Sequence, residues 1–422
     1  MGRELLLSGV TVLDFTRILA GPYCTMLLGD LGAEVLKIEP PKGDDSRYWG
    51  PPFVDGESAY FLAVNRNKKS LTLDLKTPEA LEIVLRLLDL TDVVVENFRP
   101  GTMDRLGLGY EALRTRNPRL VYCSISGYGQ SGPLRERPGY DAVMQGEGGW
   151  MGLTGEPRGM PMKVGASLAD IFSGMMAGEG ILAALYRREK TGEGNFIDVA
   201  LFDSVVSTLC YQAQGFLMTG ETPRRLGNRH SSLTPYETFA TADGHVIVGV
   251  GNDSLWKRFA RAVEDPALDD PRYEVNATRV AHYDELKARL DPLFASRTTG
   301  EWIALLEDAG IPVGRVRDVR EVFSNPQIEP REMRIEVDHP KLGKLPLTGN
   351  PIKIGEPGRS PTPLRQASAG PPKPEGRRRK GEGRRHEPPP MLGEHTESVL
   401  GQRLGMDKET LRTLRAKGVF GA

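Results

Sequence analysis

A single acid, Asp170, stands where the small residues Val164-Gly165-Ala166-Ser167-Leu168-Ala169 lead into the apolar run Ile171 to Tyr186. Glycine and alanine recur through that run, at Gly174, Ala177, Gly178, Gly180, Ala183 and Ala184. A helix of such residues can pack very close to a neighbour. A carboxylate in its first turn faces the positive end of the helix dipole, which favours the ionised form. An anionic carboxylate held in one place is a nucleophile able to form covalent intermediates. The same spacing has a second reading. Ser167-x-x-Asp170 before an apolar run also fits a capping box, with Asp where Glu or Gln is more usual. Spacing alone favours the cap.

The elements ahead of Asp170 must position it. Val10 to Phe15 reads as a buried strand, Tyr23 to Leu31 as a helix, and Glu34 to Glu39 as a second strand. Such a unit is right-handed and sets its strands parallel. The pattern repeats with strands at Ser70–Leu75, Asp92–Asn97, Leu120–Ile125 and Phe196–Leu201. Thr77-Pro78-Glu79 and Tyr110 to Arg116 mark helices between them. Continuous apolar strands alternating with helices predict an α/β fold with a doubly wound sheet. Ligands of such sheets sit at the carboxyl ends of the strands. The loops after Phe15, Glu39, Asn97 and Ser126 are therefore candidate site walls.

Gly127-Tyr128-Gly129-Gln130-Ser131-Gly132 matches G-x-G-x-x-G after a strand. A dinucleotide fingerprint must open a helix, and here Pro133 and then Pro138-Gly139 follow. The loop reads as a wide turn or a ligand wall, not as an NAD site.

Beyond residue 200 the rhythm changes. Asp203 to Met218 is helical, and residues 201–224 as a whole are taken as a linker. Ala242-Asp243-Gly244 turns a hairpin between Tyr236–Thr241 and His245–Val250. Helices follow at Leu255–Val263, Tyr283–Ala295, Thr299–Ala309 and Val319–Ser324, which makes 225–325 a small α+β domain. Residues 326–339 are a second linker. Short strands occupy Ile335 to Ile354, and a helical pair spans Leu392 to Phe420. The large domain is thus 1–200 plus 340–422. Within it, 371–390 is rich in Arg, Lys, Gly and Pro and lacks apolar content, so it reads as a disordered, solvated insertion.

The chain of 422 residues is long enough for two domains. Lys and Arg number 55 against 56 Asp and Glu, which argues against a nucleic-acid partner or an acidic membrane surface. Its three cysteines, Cys24, Cys123 and Cys210, are scattered and lack metal-ligand spacing, so no metal site and a reduced cytoplasmic setting are expected. The first residues lack a signal peptide's apolar core, Leu6 stands where a myristoylation signal needs Ser or Thr, and no apolar run looks long enough to span a bilayer.

Several stretches together resemble a known family. Val12 to Pro22, Gly29 to Glu39, Asn65-Arg66-Asn67-Lys68-Lys69-Ser70, Val95 to Gly101, Ser126 to Pro133, Gly139-Tyr140-Asp141 and Gly393-Glu394-His395-Thr396 are similar to family III CoA-transferases, the formyl-CoA and carnitine CoA-transferase relatives. The resemblance spans nearly the whole chain apart from the basic insertion. It implies a Rossmann-like large domain, a smaller domain and an interlocked homodimer. It places the catalytic carboxylate on Asp170. It places contacts to CoA on Arg17, Ile18, Leu19, Ala20, Leu73, Asn97, Arg105 and Tyr140, with Arg105 a phosphate partner by charge. CoA enters as a substrate, and no permanently bound cofactor is implied.

The implied activity moves CoA from an acyl-CoA, with succinyl-CoA the expected donor, to a carboxylic acid through aspartyl intermediates. Formyl-type members carry a poly-glycine loop over the nucleophile. The corresponding stretch here, Gly227-Asn228-Arg229-His230-Ser231-Ser232, has one glycine. It is more similar to members that handle succinyl-CoA and larger dicarboxylates, and Arg229 or His230 becomes a candidate partner for a distal carboxylate. A racemase of α-methylacyl-CoA on the same fold is the alternative. That group has Gly-His-Asp where this chain has Gly139-Tyr140-Asp141, so proton exchange would lack its histidine. A non-catalytic CoA-binding protein is the third reading.

Overall fold

The structure, a computed structural model, describes residues 5–354 and 386–420. The strands β1 (Thr11–Asp14), β2 (Glu34–Glu39), β3 (Lys68–Thr72), β4 (Val93–Glu96), β5 (Val121–Ser126) and β6 (Phe196–Ala200) form one parallel sheet. Their spatial order is β3-β2-β1-β4-β5-β6. This is the Rossmann order, and the direction of winding reverses between β1 and β4. Right-handed connections then put α1 (Ala20–Asp30), which joins β1 to β2, and α2 (Pro78–Leu88), which joins β3 to β4, on opposite faces.

Local sequence explains each piece. Val12, Leu13, Val93, Val94 and Val95 have no exposed surface, as strands covered on both faces require. Thr77 caps α2 by accepting the Ala80 N–H at 3.3 Å, and Pro78 occupies the first turn, where a missing N–H does no harm. Ala80, Ile83, Val84, Leu87 and Leu88 follow the spacing of one helix face, and all five are buried. They share a core with α3 (Tyr110–Arg116) and with residues of two late helices, Thr396–Leu404 and Lys408–Ala416. The end of the chain thereby closes the face that α2 begins.

The other principal helix of this unit is Leu168–Thr191. By length and composition it is apolar enough to cross a bilayer, contrary to the expectation that no run would be. One face of it packs on α1 and on strands β5 and β6, while Met175, Leu182 and Tyr186 are exposed. Its glycines allow that approach: a Cβ at Gly174 would lie 2.4 Å from the Ala20 carbonyl oxygen.

The described residues fall into two compact units, one within 1–148, 166–208 and 326–422, the other within 149–165 and 209–325. Residues 149–165 therefore group with the smaller unit. The stretch 201–224, expected as linker, contains the helices Leu201–Thr208 and Cys210–Thr219, separated at Cys210 by a left-handed φ of 46°. The stretch 326–339 runs into the strand Arg334–His339, which pairs with Gly343–Thr348. The smaller unit holds the expected hairpin, with Thr241 donating to the Gly244 carbonyl across its turn. A third strand, Val313–Arg315, joins that hairpin. Its core is aromatic, built on Phe239, Trp256, Phe259, Phe294 and Trp302.

Of the basic stretch 371–390, residues 371–385 lie outside the described residues. Residues 386–390 are ordered, against expectation, because Asn67 receives them. Its Oδ1 accepts the Glu387 N–H at 2.7 Å, and its N–H donates to the Glu387 carbonyl at 3.1 Å.

Candidate active site

The turn after β1 lies at the point where the winding reverses, and nearly every polar group in it has a partner. The Phe15 N–H donates to the Val95 carbonyl at 2.9 Å. The Thr16 N–H and hydroxyl both donate to Asp14 Oδ1. Lys37 Nζ donates to the Thr16 carbonyl at 2.8 Å and to Asp44 Oδ2 at 2.9 Å. Asn97, one residue past β4, bonds both the N–H and the carbonyl of Arg17. Asp44 accepts the Ile18 N–H, which holds Ile18 at a φ of 68°. A β-branched residue pays steric strain in that region, and strain of this kind marks functional turns.

Five of the eight expected CoA contacts, Arg17, Ile18, Leu19, Ala20 and Asn97, are therefore brought together at this turn. Arg17 also lies 4.9 Å above the Phe98 ring. The other three are placed apart from those bonds. Leu73 is fully buried in the core, and its N–H donates to the Glu39 carbonyl at 2.8 Å. Arg105 is exposed and donates to the Thr102 hydroxyl at 3.0 Å. Tyr140 is exposed and precedes the helix Asp141–Glu147.

Asp170 sits in the first turn of Leu168–Thr191, and the capping-box reading fails there. The Ser167 side chain makes no capping hydrogen bond. The cap comes from Asp141, whose Oδ1 accepts the Ala169 N–H at 2.9 Å. Asp141 Oδ2 accepts from Gln145 Nε2 at 2.8 Å, so the capping carboxylate is itself held. The Asp170 carboxyl is left without a hydrogen bond or ion pair among the described residues. The buried acids of this unit are engaged instead: Asp14 by Thr25 and Lys68, Asp30 by Arg66, Glu39 by Arg47, Asp44 by Lys37, and Glu96 by the Phe98 N–H.

The expected effect of the helix dipole is outweighed. Burial pushes the Asp170 pKa up to about 7, and the neighbouring Asp141 charge adds to the rise. The first turn offers half a positive charge at most, and its foremost N–H groups are not bonded to this carboxyl. The Tyr60 hydroxyl feels Asp170, Asp141 and Asp44, and burial with these three acids raises it to about 12. Tyr60 thus belongs to the surroundings of Asp170, although its sequence context gives no sign of it.

The ionic frame beneath the turn also escapes a motif search. Lys68 pairs with Asp14 at 3.2 Å, Lys37 with Asp44 at 2.9 Å, and Arg47 with Glu39 at 2.7 Å, all buried. A signal was present in the sequence: Lys37 and Glu39 follow the apolar Val35-Leu36 and flank Ile38, two residues apart and hence on one face of the strand. The Gly-rich loop is tied off as a turn, as expected. The Gly129 N–H donates to Ser126 and the Gln130 N–H to Asp198, and no helix follows. Arg229 and His230 lie in the smaller unit.

By fold this is an α/β protein of the Rossmann-like class, with its pre-set turn at the switch point where such proteins bind ligands. Comparison with known proteins makes the assignment specific. The CoA-transferase family III profile matches residues 7–373, and the chain belongs to that family. It is 40% identical to the succinyl-CoA:glutarate CoA-transferase of Mus musculus, over 98% of this chain and 90% of that protein. It is 43% identical to the acetyl-CoA:oxalate CoA-transferase of Acetobacter aceti, over 82% of this chain and 88% of that protein. The crystal structure of a CAIB/BAIF family protein from Brucella suis superposes with a TM-score of 0.79 at 38% identity, covering 95% of this chain and all of the other. The protein is a CoA-transferase, and CoA thioesters are its substrates.

Proposed function

We propose that this enzyme carries CoA between carboxylic acids on Asp170. The observation that supports this is the unpartnered Asp170 carboxyl at a helix start that Asp141 already caps. A side chain kept from structural duty and partly withdrawn from water is suited to attack a substrate. In the reaction, ionised Asp170 adds to the thioester carbonyl of the donor and CoA leaves as the thiolate. The mixed anhydride is then attacked by that thiolate at the aspartyl carbonyl, which releases the donor's acid and leaves an aspartyl–CoA thioester. The acceptor carboxylate attacks this thioester, expelling CoA thiolate again and forming a second anhydride. Attack of the thiolate on the acceptor's carbonyl yields the new acyl-CoA and restores Asp170. Each step exchanges one activated acyl bond for another, so water must be excluded throughout.

Succinyl-CoA is the proposed donor, supported by the glutarate relative. The oxalate relative adds a shorter diacid as a second candidate acceptor. CoA is proposed to lie across the turn Arg17 to Ala20 beside Asn97, with Leu73, Arg105 and Tyr140 as further contacts. An interlocked homodimer, supported by the family resemblance, and a cytoplasmic setting, supported by the scattered cysteines, complete the reading.

The test is chemical trapping. The protein is incubated with succinyl-CoA and hydroxylamine, digested, and the peptide bearing Asp170 is weighed. A hydroxamate at Asp170 that requires acyl-CoA is the expected result. An unmodified Asp170 in protein that turns over succinyl-CoA would overturn the mechanism.

A further inference from the structure

The smaller unit contains a cavity of about 350 Å³. Arg224, Arg229 and His230 line it together with polar groups of Tyr211, Asn228 and Ser231; among the described residues no Asp or Glu lines it, and the Glu156 carboxylate lies behind Gly227. A cavity with two guanidinium groups and no acid favours an anion. Arg229 is its most constrained member. Its guanidinium lies 3.5 Å over the Tyr283 ring, and that ring is fixed because its hydroxyl donates to Glu237 Oε2 at 3.1 Å. Stacking sets the plane of the fork without using its hydrogen bonds. Among the described residues Arg229 has no ion pair, and its Nε is buried without an acceptor. A buried N–H in that state is costly, and arginine forks match carboxylates in geometry.

His230 is held as firmly. Its Nδ1 accepts the Ser232 N–H at 3.0 Å, which assigns the proton of the neutral ring to Nε2. That nitrogen is 3.4 Å from the Tyr211 hydroxyl, and the Tyr211 ring stacks on the imidazole. The pocket therefore presents a fixed guanidinium and a fixed imidazole, both set before any ligand arrives.

We infer that this cavity is a carboxylate-recognition pocket in which Arg229 receives one carboxylate of a short dicarboxylic acid, free or as the acyl group of a CoA thioester. The identity of the acid as substrate rests on the transferase reading; the pocket itself does not. A phosphate of CoA offers the same anionic chemistry, and the experiment separates the two sources.

Calorimetric titration of the full chain with glutarate, butyrate and CoA is compared for the native protein, Arg229→Gln and Arg229→Lys. Glutarate affinity is expected to fall about 10- to 100-fold in Arg229→Gln, the loss of one charge-assisted contact, with butyrate and CoA unaffected. A fall in CoA affinity with glutarate binding retained would overturn the assignment in favour of a phosphate pocket. Unchanged glutarate binding, or none in the native protein, would overturn it outright. Should Arg229→Gln not fold, Arg229→Lys decides, since it keeps the charge but not the fork: glutarate affinity falls while CoA affinity holds, or the proposal fails. Asp170→Asn keeps the readouts apart, because it removes turnover and leaves glutarate binding intact.

Discussion

The Asn97 side chain is bonded at both ends to the backbone of Arg17. Its Oδ1 accepts the Arg17 N–H and its Nδ2 donates to the Arg17 carbonyl, both at 2.8 Å. One amide therefore ties the turn after β1 to the turn after β4, across the point where the sheet reverses its winding. No other neutral side chain offers a donor and an acceptor in this arrangement except the longer Gln. Asn97→Ala is expected to leave two partly buried backbone groups unmatched, at about 1–3 kcal/mol. The loosened turn should raise KM for acyl-CoA more than it lowers kcat. Steady-state kinetics with succinyl-CoA, beside a denaturant titration, checks both.

Much of this frame was legible in the sequence. The six strands of the parallel sheet follow from apolar runs, and Tyr110–Arg116 and Tyr283–Ala295 keep their expected bounds. The local role of Asp170 was not legible. A capping box and a free carboxyl share the spacing Ser167-x-x-Asp170, and what separates them is Asp141, 28 positions upstream of the N–H it caps. Tyr60 stayed hidden for the same reason, since only the tertiary fold brings it near Asp170. The order of residues 386–390 depends on Asn67, more than 300 positions away. Local composition carries nothing of such partners.

Gly174 is where the two central helices touch. An added Cβ would stand 2.4 Å from the Ala20 carbonyl oxygen, a backbone atom that cannot rotate aside. Gly174→Ala normally gains helix propensity, about 1 kcal/mol in an exposed position. Here overpacking should outweigh that gain and destabilise the protein by about 1–3 kcal/mol. Ala20 belongs to the strained turn, so activity is expected to fall as well. A thermal melt alongside an assay of transfer tests the pair of effects. An unchanged melting temperature would show that the helices separate at little cost.

The rate should depend on pH through Asp170. Only the ionised carboxylate attacks, and its pKa in the free enzyme is raised to about 7 by burial and by Asp141. Below that value the ionised fraction falls tenfold per pH unit. The kcat/KM for succinyl-CoA is therefore expected to rise with slope one up to about pH 7 and then level off. A profile flat from pH 5 to 8 would contradict the assignment.

Stability should move in the opposite sense. Asp170 has a folded-state pKa above its unfolded value, so it stabilises the fold at low pH, where it is protonated in both states. That contribution is lost as pH rises from about 4 through about 7. Asp170→Asn carries no such charge. Its melting temperature relative to the native protein is expected to increase between pH 5 and pH 8, by a few degrees. Paired scanning calorimetry at the two pH values reads this difference directly.

Asp141 does two things that substitution can separate. Its Oδ1 caps the Asp170 helix through the Ala169 N–H, and its charge raises the Asp170 pKa. Asp141→Asn keeps an oxygen for the cap and removes the charge. The inflection in the pH–rate profile should then move to lower pH, while remaining above 3.8 because burial, the larger cause, is untouched. Asp141→Ala removes both, and the lost cap should cost about 1 kcal/mol in addition. If Asn and Ala variants shift the inflection equally but only Ala lowers the melting temperature, charge and cap are separate functions of one side chain. If neither variant moves the inflection, burial alone sets the Asp170 pKa and Asp141 serves only to start the helix.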